Sequence, residues 1–284
     1  MKKIALLTLF ALILTTSAFA ETKVAVSVVP QRYFVEKIAG DAVSVVTVVP
    51  EGASPATYEP KPSQMGELAS CSLWFTIGVP FERAQKDRML SALPNLKEIP
   101  THDNVKLRPI KGHDHDGQGH QHDQGYDPHV WLSPSAVMIQ ARTIATGLSE
   151  LDPKNRAVYM ENYAAFVAEL GSLDSELAEL LSGSRGKAFM VFHPSWGYFA
   201  HDYGLEQIAV EVEGKEPKPA ELAKLVERAK VLGIKTVFVQ PQFSTAAAEA
   251  IAKSIEGQVV PLNPLAEDWR DNLIKAAEAL GASF

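Results

Sequence analysis

Lys23-Val24-Ala25-Val26-Ser27-Val28-Val29, a helical stretch from about Gln31 to Ala39, and then Val43-Ser44-Val45-Val46-Thr47-Val48-Val49 decide how this chain folds. Both valine-rich runs carry so little polar interruption that each reads as a strand covered on both faces, the signature of a parallel sheet. A helix between two such strands makes a β-α-β unit. The next stretch, Gly52-Ala53-Ser54-Pro55-Ala56-Thr57-Tyr58-Glu59-Pro60-Lys61-Pro62, is too rich in proline for regular structure. It therefore reads as a loop leaving the C-terminal end of a parallel strand, the edge where open α/β sheets bind ligands. A helix near 63–69, a strand near 73–77, a helix near 81–93 and a short strand near 95–99 complete the first half.

The second half repeats the pattern. Lys187 to Phe192 is a strand ending at His193-Pro194-Ser195, with a helix to about Tyr203. Strands near 206–210, 236–239 and 259–262 then alternate with helices near 219–232, 246–254 and 268–280. Between the halves, 134–148 reads as one helix, and 153–181 as a longer one with Asp152 as N-cap and Gly183 just past its end. At 1.5 Å per residue that helix is a rod of about 44 Å, long enough to brace two lobes. The expected fold is α/β: two lobes, each a mainly parallel sheet with helices on both faces, joined by one long backbone helix. The expected divisions are a leader over 1–20, a first lobe over 21–150, the linking helix over 151–183 and a second lobe over 184–284.

The leader is read from Lys2 and Lys3, the apolar run Ile4 to Ile13 and the small-x-small site Ala18-Phe19-Ala20, features of a cleaved signal peptide. Without Lys2 and Lys3, 25 basic residues face 34 acidic ones, a formal charge of -9, which disfavours nucleic acid and suits a cationic ligand. The one cysteine, Cys71, rules out an internal disulfide framework and lies in an apolar segment, where it reads as an inert buried thiol. No cysteine stands at the cleavage site to take a lipid, so the expected compartment is a periplasm.

Chemistry concentrates between the halves, where five of the eight histidines fall within 17 residues. His113, His115, His120 and His122 lie in 113–124, a tract of imidazole, carboxylate and glycine with almost nothing to bury, expected to be a loop that collects metal. Neutral imidazoles and carboxylates are the donor set of a borderline ion such as Zn(II). His129 differs, because Val130-Trp131-Leu132 beside it is apolar and Ser133-Pro134 can open a helix, Ser as N-cap and Pro at the first position. A histidine where loop meets scaffold suits a fixed ligand. His102 and His201 read as ordinary surface residues, and 211–219 as a solvated loop.

With these motifs in order, the mature chain resembles the zinc and manganese receptors of bacterial ABC importers, most of all the zinc-uptake members. The resemblance rests on Gly52-Ala53-Ser54-Pro55 through Ser63, on Asp127-Pro128-His129 through Pro134, on Phe192-His193-Pro194 with Tyr198-Phe199, on Gln240-Pro241-Gln242-Phe243-Ser244 and on Leu262-Asn263-Pro264-Leu265. It implies a metal held between the lobes, with His129 and His193 as ligands, Asn263 as a further donor, and the 113–124 histidines as accessory sites. Three positions depart from the family pattern. Ala56 stands where relatives have the first ligand histidine, Asn263 where some have aspartate, and Gln240 where many have glutamate. Glu59 or Tyr58, solvent, or a histidine of 113–124 is then a further option for completing the shell.

The function expected from this resemblance is capture of Zn(II) in the periplasm and its delivery to the membrane permease of an ABC importer, by a monomer that is not an enzyme. A receptor scaffold with a changed ligand, or a zinc buffer, is one alternative. A zinc hydrolase is another, although no His-Glu-x-x-His pair or other general-base arrangement accompanies the histidines.

Overall fold

Val24, Ala25 and Val26 are fully buried, as are Trp74 and Phe75. Strands with nothing polar to turn outward take central places, and so β1 (Thr22–Val26) and β3 (Leu73–Thr76) lie inside the first sheet, flanked by β2 (Val43–Thr47) and β4 (Lys97–Pro100). The computed structural model describes residues 22–110, 126–211 and 215–284. The first sheet runs β2-β1-β3-β4, and every pairing in it is parallel.

The second sheet has the same plan. Its order is β6 (Glu206–Ala209), β5 (Ala188–Val191), β7 (Thr236–Val239), β8 (Gln258–Pro261), again all parallel. In both sheets the chain order reverses beside the first-formed strand, and that reversal opens a crevice at the strand ends. Around the first sheet lie α1 (Val29–Ala39), α2 (Pro62–Leu68), α3 (Pro80–Ala92) and α4 (Pro134–Leu151). The second sheet carries α6 (Gly197–Asp202), α7 (Pro219–Val231) and α8 (Ala246–Ser254).

The connecting helix α5 (Arg156–Leu180) has 25 residues and passes through Gly171 and Ser172 without a break. It begins later than expected, because Pro153–Asn155 forms a 3-10 turn first. Asp152 serves that turn, its carboxylate accepting from Asn155 Nδ2 at 2.7 Å and from the Tyr159 hydroxyl at 3.2 Å. Although α9 (Trp269–Ala282) follows the second sheet in the chain, its apolar face returns to the first lobe. Trp269 meets Phe34 of α1 edge to face at 5.0 Å, and Leu273, Ala276, Ala277 and Leu280 join the same core. Cys71 is buried as expected, and burial pushes its thiol up to about 11. Among the described residues no helix is long and apolar enough to cross a membrane.

Candidate metal centre

His193 stands two residues past β5 and His129 in the segment that leads into α4, so each comes from a strand-end connection of a different half. Ser133 fixes the latter entry as its Ser-Pro pair predicts. Its hydroxyl accepts from the Ala136 amide at 3.2 Å and donates to Asp202 Oδ2 at 2.5 Å, tying the start of α4 to the end of α6. On the other side Gln240, fully buried, clamps the His193 turn: its Oε1 accepts from His193 N at 3.0 Å and its Nε2 donates to His193 O at 2.7 Å.

The two imidazoles meet with 3.3 Å between their Nε2 atoms. Each turns its Nδ1 to a carboxylate, His129 to Asp127 Oδ1 at 2.7 Å and His193 to Glu211 Oε1 at 2.8 Å. A carboxylate only accepts, so each Nδ1 presents its hydrogen to one and each ring turns its Nε2 toward the other ring. A cation between two such nitrogens would be held by both rings at once. Zinc–imidazole bonds of about 2.0–2.1 Å at a tetrahedral angle set two nitrogens about 3.4 Å apart, which matches the observed gap. A carboxylate behind each metal-facing imidazole is the usual device for fixing ring orientation and raising donor strength.

Asp127 and Glu211 are themselves buried. Burial lowers the His129 imidazole below its ordinary range and outweighs the upward pull of Asp127, so the ring stays neutral and available as a donor. The His129 ring sits edge-on to Trp131 at 5.2 Å, and His193 stacks on Phe243 at 4.9 Å. These aromatic walls leave the rings little freedom to turn.

The pair opens into a mostly apolar cavity of about 90 Å³ that Pro55, Ala56, Arg83, Gln242 and Phe243 also line. A neighbouring cavity of about 190 Å³ is lined in part by Glu82, Lys86, His102 and Asp127, and Arg83 and Pro128 border both.

The structure therefore brings His129 and His193 together. It does not bring Asn263 to them, because the Asn263 Oδ1 accepts from the Leu265 amide at 3.0 Å and from Gln242 Nε2 at 3.3 Å, which closes its own turn. The Tyr58 hydroxyl donates to Gln64 Oε1 at 2.5 Å, and neither Tyr58 nor Glu59 lines the cavity. Among the described residues no group of three or more His, Cys, Asp or Glu side chains is placed to hold a metal. His113, His115, His120 and His122 lie outside the described residues.

The reading of 211–219 as a solvated loop is corrected at its first residue, since Glu211 is buried against His193. Register arithmetic carries the signal for it: Val191 pairs with Ala209 across β5 and β6, so residues two further on, His193 and Glu211, stand side by side. His201 is exposed as expected, whereas His102 is half-buried, with a buried Nδ1 that has no partner.

Two doubly wound lobes, a bracing helix and paired imidazoles at facing strand ends define a two-lobed cleft-binding protein. Residues 24–281 match the family model ZnuA, zinc-uptake complex component A, periplasmic, and the chain belongs to that family. A crystal structure of ZnuA superimposes with a TM-score of 0.86 at 42% identity, covering 93% of this chain and 99% of that one. A zinc-bound ZnuA with residues 138–173 deleted gives 0.85 at 42%, over 93% and 98%. The zinc-binding lipoprotein AdcA of Streptococcus pneumoniae is 30% identical across 98% of this chain; this chain spans 58% of the length of that protein. A putative metal-binding protein of Chlamydia trachomatis is 27% identical over 90% of both chains.

Proposed function

We propose that this protein captures Zn(II) between its lobes in the periplasm and hands it to the membrane permease of an ABC importer, acting as a monomeric receptor and not as an enzyme. One observation carries the reading: two imidazole Nε2 atoms, from different halves of the chain, stand 3.3 Å apart with a buried carboxylate behind each ring. His129 and His193 are the ligands from the described residues. Nitrogen donors favour zinc over manganese, which takes more carboxylate oxygen. His113, His115, His120 and His122 would serve as weaker accessory sites that raise the local zinc concentration at the cleft. The family membership and the zinc-bound ZnuA structure support this assignment. The match of 1–20 to a signal-peptide pattern supports the compartment.

The test is competitive chelator titration of the mature chain lacking 112–124. It should bind one Zn(II) tightly, and His129→Ala or His193→Ala should weaken that binding by more than the roughly 10–100-fold typical of losing an outer partner. Unchanged affinity in both variants would remove the cleft as the zinc site.

A further inference from the structure

The Nε2 atoms of His129 and His193 stand 3.3 Å apart although they belong to different halves of the chain. The carboxylates behind them orient each ring, but a gap between halves is set by whatever joins the halves at that place. Trp131 makes such a join. Its indole is 1% exposed, lies edge-on to the His129 ring at 5.2 Å, and donates through Nε1 to Pro264 O at 2.7 Å. Trp131 and Pro264 both line the metal cavity, so this bond crosses between the halves in the wall of the site itself.

From Pro264 the contacts run on to His193. Asn263 closes the turn with its Oδ1, which accepts from the Leu265 amide at 3.0 Å and from Gln242 Nε2 at 3.3 Å, while its carbonyl accepts from Asn272 Nδ2 of α9 at 2.7 Å. Leu262 N donates to Val239 O at 2.8 Å, and the next residue, Gln240, holds both the amide and the carbonyl of His193. A frame of hydrogen bonds therefore joins the His129 segment to the His193 turn. Its two ends, Trp131 and Gln240, are buried, where water does not make good a lost bond.

We propose that this frame sets the gap between the two imidazoles and so selects the size of the ion. Trp131 is the specificity-determining residue, and Asn263 is a positioning residue in place of the ligand role that its motif suggested. Zinc, at about 2.0–2.1 Å from each nitrogen, fits the gap as it stands. A larger ion with the same filled d shell, such as Cd(II), needs longer bonds and can enter only by spreading the halves against the frame. Loosening the frame harms the two ions unequally, because zinc loses a preformed pair of donors whereas the larger ion also gains room. The proposal rests on reading the cleft as a zinc site.

The experiment is competitive chelator titration of the full mature chain with Zn(II) and, separately, with Cd(II). Trp131→Phe keeps an aromatic ring beside His129 and removes the N–H. It should weaken Zn(II) about tenfold, the low end of what losing an outer partner costs a metal site, and Cd(II) by less than about threefold, so that the preference for zinc falls at least about threefold. Asn263→Ala opens the frame from the second half and should shift the preference the same way; it decides the matter if Trp131→Phe loses the parent's circular dichroism. A Cd(II) loss that equals or exceeds the Zn(II) loss would show a general loosening of the fold, and parental affinity for both ions would show that the gap is set elsewhere. Either result overturns the frame as selector and leaves the zinc receptor standing. Tight zinc binding that survives His129→Ala together with His193→Ala overturns both.

Discussion

Asp127 is held by contacts that leave it almost no room. Its Oδ1 accepts from both the backbone amide of His129 and the ring Nδ1, at 2.9 and 2.7 Å, and its Oδ2 faces Gly197 at the start of α6. A Cβ on Gly197 would fall 2.6 Å from that oxygen, so the glycine is required by space and not by backbone angle. Gly197→Ala should therefore push Asp127 off the ring and weaken zinc about tenfold, and Asp127→Asn should cost roughly 10–100-fold. Chelator competition on variants that keep the parent's circular dichroism checks both, and parental affinity in each would deny Asp127 its orienting role. Glu82 belongs to the adjoining cavity. Burial pushes its carboxyl up to about 7, against the pull of the Ile77 and Gly78 amides that bond to it. A carboxyl raised in the folded state holds its proton where the unfolded chain releases it. Its contribution to stability is thus complete below about pH 4.5 and is lost as pH rises through 7. The advantage of Glu82→Gln over the parent should then grow between pH 4.5 and 7.5, as read from urea midpoints. A pH-independent difference would contradict the raised value. His129 and His193 were legible in the sequence because each sits where a polar loop joins an apolar scaffold. Asp127 and Glu211 were not, because their roles depend on how close two elements come, and a motif records identity and not approach.

At the scale of elements, the alternation of strands and helices was readable throughout, since strands with no polar face can only lie inside a parallel sheet. Element ends were less readable. Asp152 has the right chemistry for a helix N-cap, but Pro153 and the turn after it place the start of α5 at Arg156. The placement of α9 was not readable either, because amphipathic periodicity marks an apolar face without naming the surface it will cover. Trp269 shows which surface that is: it packs on Phe34, and its Nε1 donates to Trp131 O at 2.7 Å. Trp131 Nε1 in turn donates to Pro264 O at 2.7 Å, so α9, the His129 segment and the Asn263 turn are locked in sequence. Trp269→Ala should cost about 3–5 kcal/mol through the lost packing. Trp269→Phe should cost about 1–3 kcal/mol by leaving a buried carbonyl unpaired. Urea unfolding followed by far-UV circular dichroism separates the two, and a Trp269→Phe variant as stable as the parent would show that the hydrogen bond contributes nothing.

At the scale of the whole molecule, the lobes are not joined by extended strands that could bend freely. One continuous helix of 25 residues and a shared apolar core hold them, and the Arg108 amide donates to the Tyr198 hydroxyl at 3.0 Å across the join. Metal capture should therefore proceed by small local adjustment, with little closure of one lobe on the other. Small-angle scattering with and without Zn(II) should give radii of gyration within about 0.5 Å of each other, on a value near ~18 Å for a chain this size. A contraction of several ångströms on adding metal would show a wide-opening hinge instead.

The return of α9 to the first lobe also bears on how the chain comes to be folded. Phe34 and Tyr33, themselves packed on Phe166, meet an indole that follows every strand of both sheets in the chain. Until α9 has been made, the first lobe has an unfilled hollow where Trp269 belongs, and a lobe that would otherwise fold from the N-terminus as it emerges must here wait for a helix that follows the whole second sheet. A polypeptide that cannot complete its first half before a helix beyond its second half is made stays threadable while both are being built.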